Sequence, residues 1–456
     1  MSLPLGLLVA WYGDDFTGSA AVLEVLAQAG VDSVLFLDVP TAEGLSRFPD
    51  ARAIGIAGTA RSQTPAQMKE SLPRVFAALA GMKAHISHYK ICSTLDSSPQ
   101  IGSIGQAVEL AFEHFREAVV PCLVAAPAIR RWQCFGSLFA AASGGVFRLD
   151  RHPVMARHPV TPMDEADVIT HLSRQTKLPM ELIDVEDLAG DCKAARAKLA
   201  KAGKRIAVLD CVTDEHLERI GSLIWSNRWP DMLALGSQGV EYALVAHWRR
   251  EGLLAPVQPR LGTDKARLAV VSGSVAPVTA GQIAWADANG FACIALDAAA
   301  VVKGGDAAAR AMDAARIAAL SAFVQGADPL IYTARGPDDP AVRATRNAAG
   351  YDPQANDRVG VALGDLLADI LRKTGLRRAV ISGGDTSGHA TQRLGIEALT
   401  FVAPTIPGAG LFRAHANNTE FDGLELALKG GQMGSPDYFG QIRQGGGTPN
   451  IGRLAQ

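Results

Sequence analysis

The sequence predicts an α/β protein made of two α/β domains with mainly parallel sheets. Short apolar runs alternate with amphipathic segments along almost the whole chain, which is the pattern of β-α-β units. The apolar runs are nearly continuous, as expected for parallel strands that are covered on both faces. At roughly 100–200 residues per domain, a chain of 456 residues has room for two or three domains.

The first predicted elements form a β-α-β unit. An apolar run at 5–12 is followed by a helical pattern at 19–30, which stops at Gly30, and by a second apolar run at 31–38. Further strands of the first domain are predicted at 51–58, 85–92, 119–126, 205–211 and 232–236.

The alternation lapses between residues 249 and 266, where prolines, glycines and charges occur without either periodicity. This lapse predicts a linker between a first domain at 1–250 and a second domain at 267–443. Strands of the second domain are predicted at 268–273, 293–297, 329–334, 378–383 and 423–428. The composition of residues 445–456 is typical of a loose tail.

Composition excludes several classes of protein. Lys plus Arg is 44 and Asp plus Glu is 46, which gives a net charge of −2 without any block of like charges, so no nucleic-acid or membrane partner is predicted. The six cysteines are scattered, which argues against a disulfide framework or a zinc site. Neither a signal peptide nor a long apolar span is recognisable, so a cytoplasmic protein is predicted. A homodimer is compatible with the sequence.

The segment GDDFTG at 13–18 follows a predicted strand and precedes a predicted helix. Ligands of open α/β sheets bind at the carboxyl ends of strands, so the paired acids Asp14 and Asp15 are candidates for proton transfer or ligand binding. The alternative is that one aspartate caps the helix while the other is solvated.

Three further segments of the first domain carry polar side chains. The loop at 88–105 contains Lys90, hydroxyls and an acid, which suit a polyhydroxylated or anionic ligand, although a plain Ser/Gly turn explains the same composition. Arg61 closes another predicted strand and suits a carboxylate. The segment 147–167 is either an anion-binding loop or a basic surface connection; its basic residues are Arg148, Arg151, His152, Arg157 and His158.

In the second domain, small residues follow three predicted strands, at 271–279, 381–388 and 428–440. Glycine lets the backbone approach a phosphate, and three such loops in one domain favour a nucleotide. None of the loops has the Walker pattern or a full G-x-G-x-x-G fingerprint, so neither a P-loop enzyme nor a standard dinucleotide fold is indicated.

Together these motifs resemble the four-carbon acid sugar kinase family, in the family's order and over nearly the whole chain. The motifs are GDDFTG at 13–18, KICSTLDSS at 90–98, HPVTPM at 158–163, SGS at 272–274, SGGDTSG at 382–388 and KGGQMG at 429–434. The resemblance implies a sugar-acid-binding domain and an ATP-binding domain that face each other across an active-site cleft. It also implies transfer of a phosphoryl group from ATP, with Mg²⁺, to a hydroxyl of D-threonate, D-erythronate, a 3-oxo-tetronate or 3-oxo-isoapionate.

The motifs and the resemblance together give candidate roles for individual residues. The catalytic candidates are Asp15, Asp14 and Asp385, of which Asp385 is the rival to Asp15 as base or metal ligand. The substrate-binding candidates are Asp14, Asp15, Arg61, Lys90, Ser93, Thr94, Asp96 and His158. The ATP-binding candidates are Ser272, Gly273, Ser274, Gly383, Gly384, Asp385, Thr386, Ser387, Lys429, Gly430 and Gly431.

One departure from the family pattern concerns the substrate. Many members have K-x-D-S-T-L-R-G in the second motif, whereas this chain has Cys92 in place of the Asp, and Asp96-Ser97 in place of the Arg-Gly. If that arginine binds substrate, this chain needs another cation, for which the candidates are Arg148, Arg151, His152 and Arg157.

Two other functions are also compatible with the sequence. A sugar-acid dehydrogenase would have similar α/β halves, but it should carry a glycine fingerprint where this chain has acids. A non-catalytic sugar-acid sensor would keep the first site and lose the nucleotide loops, which this chain retains.

Overall fold

A computed structural model describes residues 2–115, 119–142, 144–158, 160–228, 232–257, 262–350, 352, 354–406 and 408–447, with the side chain of Asp385 outside the described part. The chain divides into two compact units, Met1–Gln258 and Pro259–Gln456. Each unit has its own buried core.

The first unit contains eleven strands and eight helices in its described part. The strands are β1 (Val9–Gly13), β2 (Ser33–Phe36), β3 (Ala53–Ala57), β4 (Ile86–Lys90), β5 (Val119–Leu123), β6 (Arg131–Cys134), β7 (Ser137–Ala142), β8 (Gly145–Arg148), β9 (Met180–Ile183), β10 (Arg205–Leu209) and β11 (Leu233–Gly236). The helices are α1 (Phe16–Gln28), α2 (Ala42–Ser46), α3 (Pro65–Gly81), α4 (Ile104–Ala111), α5 (Val168–Ser173), α6 (Lys193–Leu199), α7 (Asp214–Ser226) and α8 (Gly239–Arg250).

The main sheet of this unit is parallel, with strand order β2-β3-β1-β4-β11-β5-β10-β9. Most of these strands are apolar with buried central residues, because helices cover both faces. Gly13 pairs with Ala57 on one side and with Lys90 on the other, and Lys90 pairs with Gly236. The loops after β1, β3, β4 and β11 therefore begin side by side at one edge of the sheet.

The second unit contains seven strands and seven helices in the described residues. The strands are β12 (Ala269–Ser272), β13 (Phe291–Ala295), β14 (Asp328–Tyr332), β15 (Arg378–Ser382), β16 (Ile396–Ile406), β17 (Ala409–Ala416) and β18 (Glu425–Lys429). The helices are α9 (Pro277–Asp287), α10 (Ala298–Lys303), α11 (Gly305–Val324), α12 (Pro340–Ala349), α13 (Ala355–Thr374), α14 (Gly384–Arg393) and α15 (Tyr438–Arg443).

Its sheet has the order β13-β14-β12-β15-β18-β17-β16. The first five strands are parallel, and β17 runs antiparallel to both β18 and β16. Ser272 pairs with Ser382, and Ser382 pairs with Lys429. The three glycine-containing loops therefore leave the sheet from adjacent strands at one edge.

The predicted α/β class with mainly parallel sheets is confirmed. The sequence patterns missed the antiparallel elements, which are the separate sheet β6-β7-β8 and the pairing of β17 with β16 and β18. The first helix begins at Phe16 rather than at residue 19, because the side chain of Asp15 accepts a hydrogen bond from the backbone of Gly18. No helix in the described ranges is long and apolar enough to cross a membrane. Most of the predicted tail, residues 448–456, lies outside the described residues.

Candidate functional site

Asp14 and Asp15 follow β1 and share one guanidinium. Arg61 Nη2 lies 2.6 Å from Asp14 Oδ1 and 2.6 Å from Asp15 Oδ1, and Arg61 Nε donates to Asp14 Oδ2 at 3.2 Å. The backbone fixes the same three loops, because Asp14 N–H donates to the Lys90 carbonyl and Arg61 N–H donates to the Asp14 carbonyl, both at 2.9 Å. The sequence-predicted residues Asp14, Asp15, Arg61 and Lys90 are thus brought together.

The two carboxylates differ in exposure and in pKa. The side chain of Asp14 is 3% exposed and that of Asp15 is 21% exposed. Burial raises the pKa of Asp14 above its ordinary value, and Arg61 offsets this only in part. For Asp15, burial is outweighed by Arg61, Lys90 and two hydrogen bonds, so its pKa lies below the ordinary value. Asp15 is therefore the more accessible member of the pair and the one whose pKa favours the ionised form.

Asp15 also caps α1. Its Oδ1 accepts from Gly18 N–H at 3.0 Å, and its Oδ2 accepts from the Thr17 hydroxyl at 2.5 Å. The alternative that one aspartate caps the helix and the other is solvated is therefore correct only in its first part. Asp15 caps the helix, but Asp14 is buried. A capping carboxylate at a strand end remains able to meet a ligand, because a fifth of its side chain is exposed.

Lys90 is buried beside this pair and donates to the Ile91 carbonyl at 2.8 Å. A Cβ atom built on Gly18 would lie only 2.6 Å from Lys90 Nζ and 2.3 Å from Asp15 Oδ1. Lys90 Nζ and Asp15 Oδ1 therefore both lie where a side chain at position 18 would be, and only glycine leaves that space free.

The loop after β4 is held by a buried polar cluster. Leu95 adopts a left-handed conformation with φ of 52°. The Ser97 hydroxyl donates to the Leu95 carbonyl at 2.8 Å and contacts His171 Nε2 at 2.9 Å, and Gln175 bonds to both side chains. Burial lowers the pKa of His171 to about 4, so the cluster is neutral at physiological pH. Composition alone did not indicate His171 or Gln175.

Within this loop, Cys92 Sγ lies 3.1 Å from Thr94 Oγ1, and Ser93 is half-buried between them. Asp96 accepts a hydrogen bond from the Thr161 hydroxyl. His158 Nδ1 lies 2.9 Å from Thr161 Oγ1 and 3.7 Å from Asp96 Oδ1. The predicted residues Asp96 and His158 are thus brought together, in a contact that joins the second and third sequence motifs.

The four candidate replacement cations lie at the end of β8 and in the segment that follows it. Arg148 forms a two-pronged ion pair with Asp150 at 2.6 and 2.7 Å and is 45% exposed. Arg151 and Arg157 are exposed, and His152 Nδ1 accepts the N–H groups of Val154 and Met155. Within the ranges the structure describes, no hydrogen bond or ion pair links these four side chains to the Asp14/Asp15 pair.

In the second unit, the strand ends carry hydroxyls and a lysine. Gly273 N–H donates to the Ser382 carbonyl at 3.1 Å, and Gly383 N–H donates to the Lys429 carbonyl at 2.9 Å. The hydroxyls of Ser272 and Ser382 are buried and bond to none of the described residues. Such groups call for a further partner, because an unsatisfied buried hydroxyl is costly.

Glycines bring the three loops close together. A Cβ on Gly273 would lie 2.3 Å from Thr386 Oγ1, and one on Gly431 would lie 2.3 Å from Ser274 Oγ. Gly383 has φ of 124°, a conformation that favours glycine, and α14 starts at the next residue, Gly384. The N-terminus of α14 can bind an anion, since its first N–H groups lack partners in the helix.

Lys429 is fully buried at this edge. Its Nζ donates to the Gly430 carbonyl at 3.0 Å and to Thr279 Oγ1 at 3.3 Å, and burial lowers its pKa to about 8. Thr279 in turn donates to the Gly431 carbonyl at 2.9 Å. Both partners of the ammonium are neutral, so a bound anion would supply the missing opposite charge. Thr279 was not found from the sequence.

Two further ATP-binding candidates lie in α14. The side chain of Asp385 lies outside the described part, and the Ser387 hydroxyl donates to the Gly383 carbonyl at 2.7 Å.

The two units together define a class of protein. The first offers carboxylates and cations for a small polar molecule, and the second offers a glycine-lined helix N-terminus and a buried lysine for a polyphosphate. Residues 9–244 match the model of a sugar-binding N-terminal domain, and residues 269–439 match that of a nucleotide-binding C-terminal domain. An enzyme that transfers a phosphoryl group from a nucleotide to a sugar-derived hydroxyl needs both.

Similar proteins identify the family. The chain is 44% identical to a 3-oxo-isoapionate kinase of Paraburkholderia graminis, over 97% of this chain and 95% of that protein. It is 32% identical to a 3-oxo-tetronate kinase of Methylobacterium radiotolerans, over 97% and 99% of the two chains. The chain belongs to the four-carbon acid sugar kinase family, and it is a sugar acid kinase that uses ATP.

Solved structures agree with this fold. A crystal structure of a Salmonella typhimurium LT2 protein matches with a TM-score of 0.74 and 26% identity, over 96% of this chain and 98% of that one. A Haemophilus influenzae protein matches with a TM-score of 0.70 and 24% identity, over 96% and 99%.

Proposed function

We propose that this enzyme transfers the γ-phosphoryl group of ATP to a hydroxyl of 3-oxo-isoapionate in preference to other sugar acids. The observation that carries this proposal is the 44% identity, over 97% of the chain, to a protein named 3-oxo-isoapionate kinase, whereas the 3-oxo-tetronate kinases are about 30% identical. Sensors and dehydrogenases have no comparable support among these relatives.

In this proposal the first domain, residues 1–250, binds the sugar acid. Asp15 accepts the proton of the attacking hydroxyl, because its carboxylate is ionised and part of it is accessible. Asp14 and Arg61 hold Asp15 in place, and Lys90 adds positive charge beside it. The other proposed substrate contacts are Ser93, Thr94, Asp96 and His158.

The second domain, residues 267–443, binds ATP in this proposal. The glycine loops and the α14 N-terminus surround the phosphates, and Lys429 neutralises part of the charge that develops on the transferred group. The attacking oxygen forms the new O–P bond as the bond to the β,γ-bridging oxygen breaks, and ADP leaves.

Mg²⁺ is proposed as the companion of ATP. Among the residues that the structure describes, no three acidic, histidine or cysteine side chains lie close enough to hold a metal ion. A site of this kind suits Mg²⁺ that arrives on the phosphates, since Mg²⁺ keeps most of its waters and needs few protein ligands. When bound, it would neutralise phosphate charge.

The location and assembly of the enzyme stay predictions. We infer a cytoplasmic enzyme that requires neither nucleic acid nor a membrane, and we leave a homodimer as the assembly to test by light scattering.

The test is an ADP-release assay with Mg-ATP. The panel contains 3-oxo-isoapionate, the 3-oxo-tetronates, D-threonate, D-erythronate and L-threonate. We expect kcat/KM for 3-oxo-isoapionate to exceed the others by about 10-fold or more, because one additional or missing group in a pocket changes binding by that order. Equal or higher kcat/KM for a four-carbon acid would reject the substrate, and no turnover of any acid would reject the activity.

A further inference from the structure

Arg131 lies at the same edge of the first sheet as the candidate site. It begins β6, and its backbone exchanges hydrogen bonds of 3.0 and 3.2 Å with Ala126, which follows β5. Strands β5 and β4 flank β11, where Gly236 pairs with Leu123 on one side and with Lys90 on the other. Only β11 therefore separates the loop that leads to Arg131 from the loop that follows Lys90.

The guanidinium of Arg131 is fixed along one edge only. Its Nη1 donates to the carbonyls of Arg130 at 3.0 Å, Ile129 at 3.3 Å and Ala141 at 3.4 Å. Its Nε is buried and bonds to no described residue. No bond to Nη2 occurs in the described part of the chain either, so the Nε–Nη2 edge keeps its donors for a ligand. This edge matches the two oxygens of a carboxylate.

Arg131 also lacks an opposite charge. No carboxylate of the described residues forms an ion pair with it, whereas Arg61 pairs with two aspartates and Arg148 with one. Burial lowers the pKa of Arg131, in keeping with a cation that has lost water without gaining an acidic partner. Cys92, in the loop after β4, is within electrostatic range of both Arg131 and Arg61.

The other cations near this edge already have acidic partners. Arg61 Nη2 is shared by the carboxylates of Asp14 and Asp15, and Lys90 is within electrostatic range of both. A sugar acid brings a carboxylate that needs its own cation, and Arg131 is a half-buried guanidinium at the same sheet edge that has no carboxylate partner among the described side chains.

We propose that Arg131 binds the substrate carboxylate through its Nε–Nη2 edge and thereby selects sugar acids over neutral sugars. This inference rests on the proposed function, because it takes the sugar acid as the substrate. It replaces Arg148, Arg151, His152 and Arg157 as the source of the missing cation.

The test compares an acid with its neutral counterpart. The substrates are the best acid of the panel and its primary amide, and the variants are Arg131→Met, Arg131→Lys and the control Arg130→Met, which removes the exposed neighbouring arginine. We expect Arg131→Met to raise KM for the acid about 100-fold while KM for ATP and kcat/KM for the amide stay unchanged. Arg131→Lys should raise KM for the acid less, because the lysine ammonium keeps the positive charge but not the two-pronged geometry of the guanidinium. Arg130→Met should behave like the unmodified enzyme.

An equal loss with acid and amide in a folded Arg131→Met protein would overturn the inference, since it would indicate a structural role. If that variant does not fold, the acid/amide ratio of Arg131→Lys decides, and an unchanged ratio would reject the role. Calorimetric titration with the acid separates the two proposals. An unmodified protein that binds the acid without turning it over, and loses that binding in Arg131→Met, would refute the kinase reaction and keep the inference. No binding by the unmodified protein would refute both.

Discussion

Asp14 and Asp15 are neighbours in the chain, yet the fold gives their carboxylates different surroundings. Asp14 is almost fully buried, and both its oxygens are taken by Arg61. Asp15 is ionised and partly accessible. A pair whose pKa values are moved in opposite directions is a common basis for dividing acid and base roles. We therefore propose that Asp15 accepts the proton and that Asp14 positions Arg61.

The variant Asp15→Asn tests this assignment. We expect kcat to fall about 100-fold or more, because the amide cannot accept the hydroxyl proton. The helix cap should survive, since Asn caps helices about as well as Asp. The measurement is steady-state kinetics together with the melting temperature. Asp297→Asn makes the same change at the exposed N-cap of α10 and should leave kcat unchanged. A nearly normal kcat in Asp15→Asn would transfer the role of base to another residue.

Lys429 predicts a pH dependence of ATP use. Its pKa of about 8 means that the ammonium is charged below pH 8 and becomes neutral as the pH rises through that value. We expect kcat/KM for ATP to be constant below about pH 7 and to fall towards tenfold per pH unit well above pH 8, since the neutral amine no longer attracts phosphate. The measurement is a pH profile of kcat/KM for ATP between pH 6 and 10.

The control for Lys429 is the variant Lys429→Met, which should have low kcat/KM for ATP at every pH and no decline centred near pH 8. Lys429 also makes the free energy of unfolding depend on pH, and this free energy should rise over the range in which kcat/KM for ATP falls. Its folded-state pKa lies below the unfolded value, so its unfavourable contribution is present below pH 8 and disappears as the pH rises towards 10.5. A profile that stays flat to pH 10 in the unmodified enzyme would remove Lys429 from the phosphate site.

At the scale of elements, the geometry of the candidate site depends on a glycine, Gly18, in the first turn of α1. Gly18 lies in the first turn, where helix propensity alone would favour alanine by about 1 kcal/mol. A Cβ there would meet Asp15 Oδ1 at 2.3 Å and Lys90 Nζ at 2.6 Å. Helix stability therefore favours alanine at position 18, whereas the positions of Asp15 and Lys90 require glycine.

Gly18→Ala should therefore reduce kcat/KM by about 10-fold or more, because Asp15 and Lys90 must move apart by a distance that matters for proton transfer. Gly281→Ala is the matched control, since Gly281 lies in α9 with no atom within 4 Å of its added Cβ. That control should keep full activity and gain about 0.5–1 kcal/mol in the free energy of unfolding. Steady-state kinetics and urea unfolding measure both effects. Full activity of Gly18→Ala would contradict the steric argument.

For the whole molecule, the α/β class and most parallel strands follow from the sequence, since apolar runs of buried strands carry a strong local signal. The strand-end motifs also follow, because the chain order of strand, polar loop and helix is local. The side-chain contacts between residues on different strands cannot be predicted from the sequence in this way, because they join residues far apart in the chain. The Asp14–Arg61 pair joins residues 47 positions apart, the His171–Ser97 contact joins residues 74 apart, and the hydrogen bond from Lys429 to Thr279 in α9 joins residues 150 apart. Arg131 was missed because β6-β7-β8 has weak alternation and half-exposed strands.

Two ligands on one chain predict two separable thermal effects. A ligand at about 100 times its Kd adds about 2.7 kcal/mol to the free energy of unfolding, which corresponds to a rise of roughly 5–10 °C for a unit of about 200 residues. We expect ATP and the sugar acid each to raise the melting temperature in calorimetry. Lys429→Met should abolish most of the ATP effect, because a 100-fold weaker Kd leaves only about 0.4 kcal/mol at the same concentration, and it should keep the sugar-acid effect. Lys303→Met removes an exposed lysine and should keep both effects. Loss of both effects in Lys429→Met would mean that the two ligands do not bind at independent sites, and an undiminished ATP effect would place the phosphates away from Lys429.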